Sequence, residues 1–396
     1  MISPVLPSYS RANLSFVKGE GAWLIEADGR RFLDFASGIA VMSLGHGHPA
    51  VLGALIDQAN ALWHTSNLYV VPQQQALAER LVEHTFADTV FVCNSGTEAA
   101  ELAIKMARKY RTETGAPERM TILTFEGAFH GRSTGAISAA GSEKLTKGFG
   151  PLLPGFRQLP FGDHDALRAA AAEPDVGAIM VEPIQGEGGI RPLPDVCLKG
   201  LRDLCDENGL LLILDEIQCG MGRTGKLFAH EWSGITPDIM LVAKGIGGGF
   251  PLGALLATEE AACGMTAGTH GSTYGGNPLG CAVGVAVMDV ITGDGFLDAV
   301  NRKAGFLRQT LEGLVASHPD IFDSVRGQGL ILGLKCKIPP ADIVAAGYAQ
   351  AVLTVPAADS TLRILPALTI TEEEIAEGIA RLDAAATALE NKSAAE

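Results

Sequence analysis

The chain has 396 residues, 47% hydrophobic and only 19% charged, enough apolar material for a large core shared by two domains of ordinary size. Its 45 acidic and 30 basic side chains give a formal charge of -15, a field that repels phosphate polymers and anionic membranes and argues against nucleic acid as a partner. Seven scattered cysteines without a C-x-x-C pair point to reduced thiols and a cytoplasmic protein, and neither a secretory signal in the opening MISPVLPSYSRANLSF nor a membrane-spanning apolar run is expected.

In chain order, AWLIEADGRRFLDF alternates apolar and polar residues about Asp28-Gly29 and predicts a hairpin. From there short apolar runs alternate with helical periodicity, the pattern of a mostly parallel sheet covered by helices on both faces. Strands are expected at 90–93, 121–125, 178–181, 211–214, 239–242 and 252–257. Helices are expected at 98–110, 166–172 and 196–207, the last stopped by Asn208-Gly209. The tail predicts a helix over 297–316, a strand over 329–335, the short run LRILPAL, and a closing helix whose start carries Thr371 and Glu374 as a capping box. The expected α/β organisation is a large domain over 51–295 and a smaller α+β domain assembled from 1–50 and 296–396. No repeat or low-complexity linker interrupts it.

Several stretches carry chemistry. In VFVCNSGTEAAELAIKMARKY a strand meets a helix through Ser95-Gly96-Thr97-Glu98, so free amides and the helix dipole make an anion cup, although an ordinary capped helix has the same look. In LLLILDEIQCGMGRTGK, Asp215 and Glu216 stand where a strand leaves the sheet, the edge at which open α/β sheets bind ligands. The following glycines match parts of two nucleotide-binding patterns, but Leu227 stands where a P-loop needs Ser or Thr, and LFAHEWSGITPD is a poor continuation for a dinucleotide fold. Lys244 ends the apolar run IMLVA ahead of several glycines; a desolvated lysine there could bond a carbonyl. Together Lys244 and Asp215 meet two demands of pyridoxal phosphate, an amine for C4' and a carboxylate for N1. Arg132 in AFHGRSTGA and Arg363 in TLRILP could each clamp a carboxylate. His46-Gly47-His48 lacks a third ligand at a convincing spacing, and no metal is expected.

The ordered set FVCNSGTEAAELAIK, AFHGRSTGAISA, VEPIQGEGG, LDEIQCGMGRTGKLFAHE, PDIMLVAKGIGGGFPLGA, HGSTYGGNPLGCAV and LRILPALTIT resembles the class III, or ω-type, aminotransferases, most nearly their acetylornithine branch. The resemblance implies a fold type I homodimer with active sites shared between subunits and pyridoxal 5'-phosphate as cofactor. It implies that Lys244 forms the Schiff base and moves the proton, Asp215 pairs with the pyridine nitrogen, and Gln218 reaches the ring hydroxyl. Ser95, Gly96 and Thr97 would hold the phosphate, with Thr273 arriving from the partner subunit, while Phe129 stacks on the ring and Ile217 packs behind it. Arg132 would take the α-carboxylate of N-acetylornithine and Arg363 that of glutamate, with Glu187 as the group that pairs with Arg363 in the first half-reaction and Ser272 on the substrate side. The amino group would pass to 2-oxoglutarate. Succinylornithine, ornithine, 4-aminobutyrate and N-succinyl-diaminopimelate remain open as substrates.

Overall fold

Alternation along one buried strand organises the centre of the molecule. Every position of Leu211–Asp215 is buried. Leu211 and Ile213 pack with the helix Gly96–Glu113 on one face, and Leu212 and Leu214 with the helix Asp195–Asn208 on the other. A strand covered on both sides must be apolar throughout, which explains its unbroken LLIL run. Asp215 shares the parity of Leu211 and Ile213 and therefore faces the side on which Gly96–Glu113 begins; Glu216 turns the other way.

The computed structural model describes residues 4–395, so the expectations at 1–3 and 396 lie outside the described residues. Its large sheet runs in the order Thr89–Cys93, Gly253–Ala257, Ile239–Val242, Leu211–Asp215, Val176–Val181, Thr121–Phe125, Phe156–Leu159. The pairings are parallel except at Gly253–Ala257, which runs antiparallel to both neighbours. The mostly parallel sheet with helices on both faces is thus the α/β fold expected. The edge strand Phe156–Leu159 was not predicted, because FRQL has no apolar run. Also unpredicted are the helices Pro49–Ala61, Pro72–Glu83 and Pro278–Ile291. The last, PLGCAVGVAVMDVI, is apolar on most sides because it packs against the other two as well as the sheet, so no single apolar stripe marks it.

Caps explain the helix limits. Gly209 stops Asp195–Asn208 in the left-handed region at φ 59°. At Thr371 both halves of the expected box form, with Glu374 N donating to Thr371 Oγ1 (3.1 Å) and Thr371 N to Glu374 Oε2 (3.0 Å). At Ser95 only one half forms. Ser95 Oγ accepts from Glu98 N (3.3 Å), but Glu98 reaches one residue further back and accepts from Asn94 N (2.9 Å).

Two four-stranded sheets flank the large one. The hairpin Trp23–Glu26 and Arg31–Asp34 turns at the expected place, and its inner strand pairs in parallel with Val352–Leu353 from the far end of the chain. Trp23 Nε1 also donates to Glu374 Oε1 at 2.8 Å. Phe322–Gln328, Ile331–Cys336, Thr361–Ile364 and Val355–Ala357 form the other sheet, which carries Arg363. Among the described residues no single helix is long and apolar enough to cross a membrane.

Candidate active site

A cavity of about 370 Å³ opens at the ends of the central strands, lined by Ser95, Gly96, Thr97, Phe129, Asp215, Ile217, Gln218 and Lys244 among others. Sequence segments far apart converge there because successive parallel strands release their loops at the same sheet edge. The first amides of Gly96–Glu113 lack intrahelical acceptors by construction, and Gly96 lets the turn press against Ile217, whose Cδ1 would lie 2.7 Å from an added Cβ. Lys244 follows Ile239–Val242 in a 3-10 turn and is held at φ 50°, an uncommon conformation for a side-chain-bearing residue. It is half-buried, with its exposed part toward the cavity. Burial pulls its pKa below the usual lysine value and Arg363 adds to this, while Glu187 and Asp215 oppose it.

Asp215 is 3% exposed; its Oδ2 lies 2.7 Å from Nδ1 of the buried His130, and its Oδ1 accepts from Ile217 N at 3.1 Å. Burial disfavours protonation of His130, but the bond to Asp215 and that residue's charge outweigh it and raise its pKa. Beside this pair sits Glu182, whose Oε1 accepts from Phe129 N (2.9 Å) and Oε2 from Gly186 N (3.3 Å). Neither His130 nor Glu182 was singled out from the sequence. Glu182 carries a usable signal, since it follows Val176–Val181 as Asp215 ends its own strand; His130 stands inside AFHGR, between Phe129 and Arg132.

Next to the cavity, Arg363 is 1% exposed and pairs with Glu187 through both terminal guanidinium nitrogens, the Nη2 to Oε2 distance being 3.3 Å. Arg363 also donates to Pro356 O (3.1 Å) and approaches Gln218 Oε1 (3.4 Å). Burial raises the Glu187 pKa, but Arg363 and Lys244 bring it below the ordinary carboxylate range. Five expected residues are not among those lining the cavity: Arg363 and Glu187 stand next to it, and Arg132, Ser272 and Thr273 lie apart from it. Arg132 is exposed, its Cζ 5.4 Å from the Phe129 ring centre. Ser272 Oγ accepts from Asn94 Nδ2 and Gly275 N, both at 3.0 Å, while Thr273 is exposed.

The glycine loop bonds to itself instead of presenting amides to a ligand. Gly220 N donates to Glu216 O (2.9 Å), Gly222 N to Leu227 O and Gly225 N to Gly222 O (both 3.0 Å). Those amides are therefore not free to cradle phosphates. His46 Nε2, in the His46-Gly47-His48 stretch, lies 2.9 Å from Asp34 Oδ2.

The aminotransferase class-III family model matches residues 7–386. The chain belongs to the class III aminotransferases. Its similarity to the acetylornithine aminotransferase of Rhodobacter capsulatus is 66% identity covering 100% of both chains. Among solved structures, the N-acetylornithine aminotransferase of Stenotrophomonas maltophilia matches with a TM-score of 0.86 at 40% identity, covering 96% of this chain and 98% of that one. An ornithine aminotransferase of Toxoplasma gondii, described with partial occupancy of PLP at its active site, matches with a TM-score of 0.94 at 33% identity over 98% and 93%. A class III aminotransferase works with pyridoxal phosphate. The residues present fit that group, since one cavity combines the helix start at Gly96 with its free first amides, a buried carboxylate at Asp215 and the desolvated amine of Lys244.

Proposed function

We propose that the chain moves the distal amino group of N-acetylornithine to 2-oxoglutarate, giving N-acetylglutamate 5-semialdehyde and glutamate, a step of arginine biosynthesis in the cytoplasm. The observation that carries this reading is the ion pair of the buried Arg363 with the partly exposed Glu187 beside Lys244. Glutamate and 2-oxoglutarate bring two carboxylates, N-acetylornithine only one, and a single cleft must suit both. With N-acetylornithine, Arg132 takes the α-carboxylate and Glu187 keeps Arg363 neutralised. With glutamate, Arg132 takes the side-chain carboxylate and Glu187 yields Arg363 to the α-carboxylate. Leaving a guanidinium unpaired in a desolvated cleft is costly, and Glu187 removes that cost when the substrate does not.

Pyridoxal phosphate supplies the electron sink that makes the substrate C–H acidic. The chain does the rest. Lys244 Nζ, with its pKa lowered by burial, accepts and returns the proton. With the cofactor bound, Asp215 would face the pyridine nitrogen, Gln218 would reach the ring hydroxyl, and Phe129 and Ile217 would enclose the ring. Ser95, Gly96 and Thr97 would hold the phosphate at the helix start, where the dipole favours an anion. Ser272 braces this corner through Asn94.

We also assign a homodimer, since Thr273 is exposed on its own chain and would complete the phosphate site of the partner. Exposed Trp63, Leu68, Tyr69, Val70 and Tyr274 supply the apolar surface such a contact needs. The domain division 1–50 with 296–396 against 51–295 is supported by the strand pairing of Leu33 with Val352.

The test is the visible absorbance of the cofactor-loaded enzyme with N-acetylornithine and no keto acid. Loss of the band and its return with 2-oxoglutarate is expected. A band that ignores N-acetylornithine but responds to ornithine, succinylornithine or 4-aminobutyrate would overturn the substrate assignment and leave the enzyme class standing.

A further inference from the structure

Glu182 has no part in the scheme above, yet it lines the cavity and is 5% exposed. Its two oxygens accept only backbone amides, from Phe129 and Gly186, and no arginine or lysine pairs with it among the described residues. Three protonatable groups thus lie buried together: Glu182 after Val176–Val181, His130 after Thr121–Phe125, and Asp215 at the end of Leu211–Asp215. Lys244, after the neighbouring strand Ile239–Val242, and Cys219, in the loop that follows Asp215, act on the same group electrostatically. Burial keeps the Cys219 thiol well above its usual pKa and hence neutral. Two carboxylates buried in one poorly solvated floor, the charge of Asp215 acting on Glu182, cannot both carry charge without a compensating cation. His130 supplies one proton to the pair at most, and its Nε2 has no partner.

We propose that Glu182 is a second electrostatic anchor for the cofactor, its carboxylate joining Asp215 in neutralising the protonated pyridine ring, so that cofactor affinity depends on whether Glu182 carries its proton. This rests on the assignment of Asp215 to the pyridine nitrogen. The direction follows from linkage. Burial first, and the charge of Asp215 second, push Glu182 up to about 7 against the pull of His130 and the two amides. A cation bound nearby lowers that value, so the added affinity is present above neutral pH and is lost as pH falls through it.

The experiment titrates pyridoxal phosphate into cofactor-free full-length enzyme and its Glu182→Gln variant and reads affinity from absorbance across pH. At about pH 8.5 the variant should bind about tenfold more weakly, and by about pH 5.5 the two should converge, because a protonated glutamate and a glutamine are then near isosteres. Glu182→Asp, which keeps the charge, should restore the pH dependence even with its shorter reach. A deficit of the same size at both pH values, or none at either, would overturn the proposal by making Glu182 structural or irrelevant. Failure of the parent enzyme to bind the cofactor at any pH would instead overturn the site assignment beneath it.

Discussion

Arg363 and Glu187 differ in exposure, 2% against 35% for their side chains, so the cation is fixed and the carboxylate is the member free to swing toward solvent. Removing the carboxylate leaves a buried charge unmatched only while the substrate supplies no second carboxylate. Glu187→Ala should therefore cut kcat/KM for N-acetylornithine by about tenfold or more while leaving glutamate equal or favoured and the cofactor bound. Half-reactions followed separately by absorbance would show it; equal losses in both, with the cofactor displaced, would refute it. Arg363→Lys makes the converse case. A point charge replaces a fork that holds two oxygens, so KM for 2-oxoglutarate should rise by about tenfold while the N-acetylornithine half-reaction changes less.

At the scale of elements, the closing helix Glu372–Ala395 is tied to the end of Phe296–Ser317 through His318. The His318 ring, 6% exposed, lies between Asp383 and Glu390, with both nitrogens 3.0 Å from a carboxylate oxygen. Burial disfavours its protonation, but the two acceptors and their charges prevail and raise its pKa. A raised pKa adds stability in full below the unfolded value of about 6.5, and this is lost as pH rises through the folded value. His318→Gln should thus lower Tm more at mildly acidic pH than in alkali, and the gap should shrink in salt because Asp383 is 54% exposed. A gap independent of pH would refute this role for the His318 pairing. The same scale shows what the sequence disclosed. Leu211–Asp215, with its unbroken apolar run, and Asp195–Asn208, with its glycine stop, were legible because their local signals agree with their surroundings. Phe156–Leu159 and Pro278–Ile291 were not, since one is an edge strand made by pairing alone and the other is enclosed on most sides.

For the whole molecule, the shared-site assignment predicts complementation. Lys244→Ala and Thr273→Ala homodimers should each be impaired, and subunit exchange between them should restore activity, because one site of each mixed dimer then draws an intact lysine from one chain and an intact threonine from the other. No recovery under conditions where exchange is demonstrated would place Thr273 outside the partner's site. Site residues were legible in the sequence where a motif ends a strand, as at Asp215 and Lys244. Glu182 and His130 escaped because their significance lies in burial beside Asp215, which only the three-dimensional sheet order creates.

That sheet order also constrains how the chain can acquire its shape. Thr89–Cys93 hydrogen-bonds within the sheet only to Gly253–Ala257, with Cys93 opposite Gly253. A nascent chain therefore holds the segment leading into Ser95 without a strand partner until residues 253–257 have emerged, long after Thr121–Phe125 and Val176–Val181 can pair. During synthesis the earliest strand of the large sheet is thus among the last to be locked. A ribosome stalled before residue 253 would carry a protease-sensitive segment around 89–95, and release of a chain extended past 257 should protect it.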